Sequence, residues 1–385
     1  MRFRFDPEHD ELRQVIRRLL AESAGPATVI ALADEPVACD PRLPARLSGE
    51  LGIYGLGVPE RFGGAGFGLL ELGVVFQEAG RAALGAPLLS PVLAADLLLQ
   101  AAESATERAG GPAGSMLARM AAGELIAAPA IAEGPLGWDA VPSTTATAGR
   151  SGWTLEGTKD WVQDGAQAGL FVVSATSPGG PALFAVEAGA PGLAAEPVAT
   201  IDISRRFARL RLDGTPATPL AVPAALAAVR RARDRGLALL SADHVGVAQR
   251  CLDMAVAWAK EREQFGQAIG SFQAIKHKLA SVRLELEAAE SACMYALWAA
   301  RGAPDEFATA ARIAAYTCGE AALLAATENI QVHGGIGATW EHPAHVYLRR
   351  ATAGRRLLAD PQALLEDLAQ VVEDTVFVST AVPVP

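Results

Sequence analysis

Two stretches of this chain carry residue types suited to holding a flat, phosphate-bearing cofactor. The first is Arg262-Glu263-Gln264-Phe265-Gly266, followed by Gly270-Ser271-Phe272-Gln273-Ala274-Ile275-Lys276-His277. The second is Gln331-Val332-His333-Gly334-Gly335-Ile336-Gly337-Ala338-Thr339-Trp340-Glu341. Each joins an apolar helical pattern to a short loop bearing glycines with an arginine or an amide. Glycine lets backbone approach a ligand closely, and fixed donors then hold its oxygens. Arg262 falls where a helical pattern gives way to a loop, a place from which a guanidinium pairs bidentately with a diphosphate. An ion pair with Glu261 or Glu263 is the plainer alternative. Gly334-Gly335 suits either a cofactor contact or a helix C-cap. A third feature is Asp243, an acid among the small and apolar residues of Leu237-Ala238-Leu239-Leu240-Ser241-Ala242-Asp243-His244-Val245-Gly246.

The elements that must position these residues fall into three regions by pattern, 1–126, 127–222 and 223–385. The first is helical. Residues from Asp10 to Leu20 repeat apolar side chains at three- and four-residue spacing, and Ser90-Pro91 opens a helix over Val92 to Ala102. Between them, Gly55-Leu56-Gly57-Val58-Pro59-Glu60-Arg61-Phe62-Gly63-Gly64-Ala65-Gly66 is glycine-rich. It has no preceding strand and no GxGxxG spacing, so it is a connection rather than a dinucleotide fingerprint. The second region reads as strands at 153–157, 170–175, 182–186 and 208–212, with turn residues between them, which suggests a small β-barrel or sandwich. The third is helical to about Asp374, with breaks at 265–271, 302–305 and 333–342. Long helices and short loops make an antiparallel four-helix bundle. The fold class is thus α+β. The tail from Val376 to Pro385 is expected to be disordered or packed on a partner.

Composition narrows the chemistry further. The chain has 385 residues, half of them apolar, enough for a large core and two or three domains. A net charge of −10 argues against nonspecific nucleic-acid binding. The basic run Arg230-Arg231-Ala232-Arg233-Asp234-Arg235 reads as a solvated helix start. Cys39, Cys251, Cys293 and Cys318 lack CxxC pairing, which excludes a zinc knuckle or a disulfide framework, and the last three fall at core positions of helices. The N-terminal MRFRFDPEHDELRQVIRRLL has no apolar h-region, and no window has the length and apolarity of a membrane span. A cytoplasmic enzyme is the expectation.

Together the two stretches closely resemble the signatures of acyl-CoA dehydrogenases, FAD enzymes that desaturate acyl-CoA thioesters at the α and β carbons. The α–β–α order resembles that family over nearly the whole chain. The resemblance implies that Arg262, Phe265, Gln273, Gln331, Gly334 and Gly335 reach the FAD of a neighbouring subunit, so that the protein is at least a dimer. It implies that Ile131, Trp161 and Gln163 line the flavin and that Trp138 and Leu240 meet the substrate. It also implies an electron-transfer flavoprotein or similar acceptor, and basic residues of the 230–235 run near the phosphates of a CoA ester. The middle region departs from the family pattern. Ala132 stands for a threonine, Trp138 for a serine and Gln163 for a hydroxyl residue, although an amide still donates to a flavin.

The base departs further. Desaturation requires a carboxylate to take the α-proton, and burial beside an acyl chain raises its pKa and strengthens it. The medium-chain glutamate position falls on Leu358, and the isovaleryl and long-chain position on Gly236. Asp360 reads as a helix cap. Asp243, two turns beyond Gly236, is the candidate base, with a local pairing to His244 or Arg250 as its structural alternative. His244 is expected to be a satisfied helix residue and His333 to orient the Gly-Gly loop. Trp340-Glu341-His342 resembles an actinobacterial subgroup that includes α2β2 heteromers. Three readings follow from the resemblance: an active dehydrogenase using Asp243, a catalytically silent subunit completing another chain's FAD site, and a flavin oxidase of nitroalkane-oxidase type. A branched or sterol-derived acyl group suits the small residues Gly236 and Ala242.

Overall fold

A computed structural model describes residues 6–104, 111–134, 137–150 and 152–379. The first five residues, Pro135 and Leu136 between Ala132 and Trp138, and the tail from 380 lie outside the described residues. The N-terminal helices are α1 (Pro7–Ser23), α2 (Pro26–Ala31), α3 (Leu43–Leu51), α4 (Leu69–Arg81), α5 (Leu89–Ala102) and α6 (Pro112–Ala121). Asp6 caps α1 by accepting the His9 N–H, and Pro7 follows at a position with no helical N–H to lose. The glycine-rich 55–66 segment forms turns and short 3-10 pieces with no strand. It folds back on itself: a Cβ on Gly64 would collide with the carbonyls of Val58 and Gly55.

The middle region contains β1 (Ala127–Ala130), β2 (Thr145–Gly149), β3 (Gly152–Gln163), β4 (Leu170–Ser177), β5 (Gly180–Glu187), β6 (Leu193–Val198) and β7 (Phe207–Leu220). Strand order runs β1-β4-β2-β3-β7-β5, and β5 also pairs with β4. The five strands β4, β2, β3, β7 and β5 therefore close into a barrel, with β1 added parallel on β4 and β6 antiparallel on β7. The barrel core is Leu155, Val162, Phe171, Val173, Phe184 and Leu210 with their neighbours. The register of β3 on β7 shifts between Lys159 and Val162. There Trp161 takes φ 56° and Asp164 φ 58°. These left-handed residues re-aim the end of β3 toward the helices.

The C-terminal bundle consists of α7 (Ala225–Glu261), α8 (Gln273–Gly302), α9 (Phe307–His333), α10 (Ala344–Gly354) and α11 (Pro361–Ser379), with α7 packed along α9 and α8. A short hairpin, β8 (Glu263–Gln264) and β9 (Gln267–Ala268), joins α7 to α8. α11 runs to Ser379, past the end near Asp374 expected from sequence. Helix α4 crosses α7 at backbone contact. A Cβ on Gly80 would collide with the Asp243 carbonyl, and one on Gly246 with the Gln77 carbonyl. This crossing ties the N-terminal helices to the stretch of α7 that carries Asp243. Cys251, Cys293 and Cys318 are free and buried in the bundle, as their helical positions predicted. No described helix is long and apolar enough to cross a membrane.

Candidate flavin and acyl site

The two cofactor stretches lie at ends of bundle helices and face outward. Arg262 ends α7 with ψ 121°, so the helix stops there and its side chain projects from the corner. Among the described residues, no ion pair links Arg262 to Glu261 or Glu263. Phe265, at φ 55°, forms the hairpin tip; it is 93% exposed and rests edge-on against Phe272. Gln273 opens α8 and is exposed. Gln331, Gly334 and Gly335 are also exposed, and nothing lies within 4 Å of a Cβ built on either glycine. Gly334 caps α9 at φ 68°. The C-cap reading and the cofactor reading thus apply to the same residue. His333 sits inside the turn: its Nδ1 lies 2.7 Å from the Asn329 carbonyl, and its ring stacks on Trp258. An unpaired guanidinium, an exposed aromatic, two amides and an open glycine cradle fit an adenine nucleotide diphosphate.

The middle domain brings its expected residues to the end of β3. Trp161 stands half-exposed and Gln163 is half-buried. Ile131 is buried, and its carbonyl accepts from the Lys159 ammonium at 3.3 Å. Lys159 is itself fully buried on Glu133 and Ser174. Burial pushes its pKa down to about 8, against the opposing pull of Glu133. Burial alone would raise the Glu133 carboxyl, but hydrogen bonds from Lys159, Ser143 and Thr144 hold it at about 2. Glu133 therefore knits the strand end together. Trp138 is half-buried and packs on both large helical cores.

The interior where a base and an acyl chain would lie is filled. The two family base positions, 122 residues apart in sequence, meet in space. A Cβ on Gly236 would collide with Cδ1 of Leu358 and lie 3.2 Å from both δ-methyls of Leu93. Leu358 is buried in the main core. A small-molecule pocket usually needs roughly 300–1,000 Å³. Here the cavity bounded by Tyr54, Leu72, Val92 and Leu99 is about 30 Å³. The one bounded by Gln163, Asp164, Arg205, Leu240, Asp243 and Arg350 is about 20 Å³. A roomier cavity of about 870 Å³ opens on another side of α7, between α1, α4 and α8. Of the residues expected at the site, Ala242 lines it while Gly236 and Asp243 do not, and its charges include the pairs Arg17 with Glu78 and Arg81 with Asp253.

Asp243 has a setting other than the two expected for it. It is 2% exposed and pairs with neither His244 nor Arg250. Its carboxylate accepts from Arg205 at 3.0 Å and from both Nε and Nη2 of Arg350. Burial would push the carboxyl up, but the charges of Arg350 and Arg205 overcome that and hold it at about 2. A base so stabilised as its anion has little affinity for a proton. The cluster continues through Asp202, which accepts from Arg205 at 2.8 Å and from Ser204. His244, expected to be satisfied, is buried with neither ring nitrogen bonded; burial drives its pKa to about 4. It is wedged beside Gly354, where a Cβ would lie 2.7 Å from its Nε2. Asp360 caps α11 by accepting the Gln362 N–H at 2.9 Å.

The basic run divides in the fold. Arg230 and Arg231 are exposed, while Arg233 is buried against Asp139 and Asp234. Sequence reasoning missed Arg205, Arg350 and Asp164. Asp164 is buried, accepts from Ser90 of α5, and is raised to about 6 by burial. A carboxylate ending a strand just after Gln163 was the available signal.

Comparison with known proteins matches this architecture. Residues 6–124, 128–213 and 227–370 match in turn the N-terminal, middle and C-terminal domains of acyl-CoA dehydrogenase. The chain belongs to the acyl-CoA dehydrogenase family. Its members are FAD flavoproteins, and this chain is a flavin oxidoreductase of the type that dehydrogenates acyl-CoA thioesters. It is 36% identical over 365 residues to acyl-CoA dehydrogenase IpdE2 of Mycobacterium tuberculosis (strain ATCC 25618 / H37Rv), covering 95% of this chain and 97% of that protein. Among solved structures it is similar to the Tcur3481-Tcur3483 steroid ACAD G363A variant. That match has 33% identity and TM-score 0.84, covering 96% of this chain and 98% of the other. It is also similar to the ChsE4-ChsE5 complex from Mycobacterium tuberculosis, with 25% identity and TM-score 0.84, covering 97% and 99%.

Proposed function

We propose that this chain acts as the FAD-completing subunit of a heteromeric acyl-CoA dehydrogenase, with the α-proton base supplied by a second chain. The observation that carries the reading is the contact of Leu358 with Gly236, because both places from which a family base would act are occupied and neither bears a carboxylate. The bound flavin supplies acceptance of the β-hydride. This chain's own part is recognition. Arg262 holds diphosphate oxygens, Phe265 covers the nucleotide, Gln273 and Gln331 donate amide hydrogens, and Gly334-Gly335 lets backbone come close. Trp161, Gln163 and Ile131 border the flavin edge of this chain's middle domain, with Trp138 and Leu240 behind them. Two of the related structures pair two components, Tcur3481 with Tcur3483 and ChsE4 with ChsE5, and the first is a steroid ACAD. A heteromer acting on a bulky, sterol-derived acyl-CoA is the form of the reaction these relatives favour, with a flavoprotein electron acceptor.

The test is anaerobic bleaching of the flavin by acyl-CoA. The chain purified alone should not bleach, and the complex with its partner chain should. In that complex, Asp243→Asn should leave bleaching per bound FAD unchanged. Bleaching by the chain alone, abolished in Asp243→Asn, would overturn the proposal and restore Asp243 as the base.

A further inference from the structure

The buried cluster that engages Asp243 grips the helix leading out of the cofactor-facing loop. Residues 334–343 run directly into α10. Two consecutive arginines on that helix reach in opposite directions. Arg349 lies against the loop, its guanidinium carbon 5.2 Å from the centre of the Trp340 ring, and donates to the Ile201 carbonyl at 3.3 Å. His345, one turn earlier, meets the same ring edge-on at 4.8 Å. Arg350 turns inward and is buried. It donates to Asp243 on α7, to Ser204 before β7 at 2.7 Å, and to the Leu84 carbonyl after α4 at 3.0 Å. Three separate parts of the fold thus meet on one guanidinium.

Tyr347 of α10 is also fully buried in the main core and donates to the Arg81 carbonyl at 2.8 Å, which ties the helix to the end of α4 alone. The other buried apolar contacts of α10 include Ala344, Val346 and Ala351, small side chains whose attraction is not directional. A guanidinium bonded in a planar fork is directional. A buried ion pair adds little net stability, because desolvation offsets the attraction. Here its effect is to select one placement of the helix.

We propose that Arg350, fixed by Asp243, is a positioning residue that sets α10 and through it the Gln331–Trp340 loop for contact with FAD. The assignment rests on the reading of that loop as a cofactor contact. Asp243 then serves binding through Arg350.

The test uses the purified FAD-bearing oligomer with Arg350→Gln and Arg350→Lys, and Leu286→Ala as a control in the α8 core. FAD affinity is read by release on dilution, and loop order by backbone amide exchange over 334–342. Arg350→Gln should weaken FAD binding at least tenfold and speed loop exchange, and Arg350→Lys should recover part of both. Leu286→Ala should lower the unfolding midpoint with FAD affinity within twofold of wild type. Arg350→Gln that only lowers the midpoint, leaving affinity and exchange as in wild type, overturns the proposal. If Arg350→Gln does not fold, Arg350→Lys decides on the same two readouts, with weakened binding and faster exchange supporting the proposal and wild-type values of both overturning it. Gln331→Ala separates the two readings. If it leaves FAD affinity unchanged, the loop is not a cofactor contact, and amide exchange alone then decides whether Arg350 positions it.

Discussion

The outward corner formed by Arg262, Phe265, Gln273 and the Gly334-Gly335 loop differs sharply from the interior around Gly236, Leu358 and Asp243. The corner keeps exposed donors, an exposed aromatic and an open glycine cradle. The interior has closed over the place where chemistry would occur: leucines meet at Gly236, and the Asp243 carboxylate is neutralised by two arginines. On the proposed reading, the chain keeps the half of a shared site that faces its partner while its own reaction centre is rebuilt as core. Recognition needs groups at a surface, whereas proton abstraction needs an under-stabilised carboxylate beside an open volume.

The contrast breaks most visibly at Asp243. Asp243→Ala would leave Arg350 buried with no carboxylate and Arg205 with Asp202 alone, and losing one member of a buried pair costs about 3–5 kcal/mol. Denaturant unfolding should show that loss. A stability unchanged from wild type would mean that the cluster is solvated.

The outer half is tested next by Arg262→Ala. Removing a charged donor to a diphosphate should cost about 2–3 kcal/mol of FAD affinity, roughly 30- to 150-fold, with the unfolding midpoint unmoved. Sedimentation should find the wild type oligomeric. A stable monomer with full FAD occupancy would remove the shared-site reading altogether.

Asp164 sharpens the interior side through pH. Its pKa is raised from an ordinary carboxylate value near 4 to about 6 by burial. A raised value means that its favourable contribution is complete below about pH 4 and is lost as pH climbs through 6. Asp164→Asn, which also tolerates the left-handed φ of 58°, should therefore match wild type near pH 4. At pH 8 it should be more stable by about 2–3 kcal/mol. An equal gain at both pH values would show that charge is not the cause.

The smallest effect belongs to the histidines behind the loop. The His333 and His342 rings lie 4.3 Å apart, and His345 packs on Trp340. Burial lowers the pKa of all three, and for His342 the charges of His333 and His345 add to that effect. Lowered values favour the neutral rings, so their contribution is present above about 6.5 and lost as pH falls. FAD affinity should drop by less than about tenfold, some 1.4 kcal/mol, between pH 7 and 5.5. His342→Gln should flatten that slope, and a slope that persists in it would place the titrating group elsewhere.

Legibility followed the separation of residues along the chain. The strands found from sequence are those with an apolar run, 170–175 and 182–186, or a clean alternation, 153–157 and 208–212; β1, β2 and β6 are short and rich in alanine, threonine or proline and carry no period. The helix ends and loops that carry the two proposed cofactor stretches were legible because each stretch is local in sequence, where one helix end and one turn fix the relation of its residues. The Asp243 partners were not, because Arg205 and Arg350 stand 38 and 107 residues away. The expected local partner His244 lies next in sequence, yet it shares none of the bonds, since neighbours on a helix point about 100° apart.

The sequence by itself determined the family, the α–β–α order and the lack of a carboxylate at positions 236 and 358, because these depend on residue identity and local spacing. Only the tertiary structure decided that those two positions touch and that Leu358 fills the space over Gly236. It also decided that Asp243 is held as an anion by two arginines. The free energy of a buried charge depends on which groups surround it, and those groups arrive from remote segments only when the barrel and the bundle close on each other.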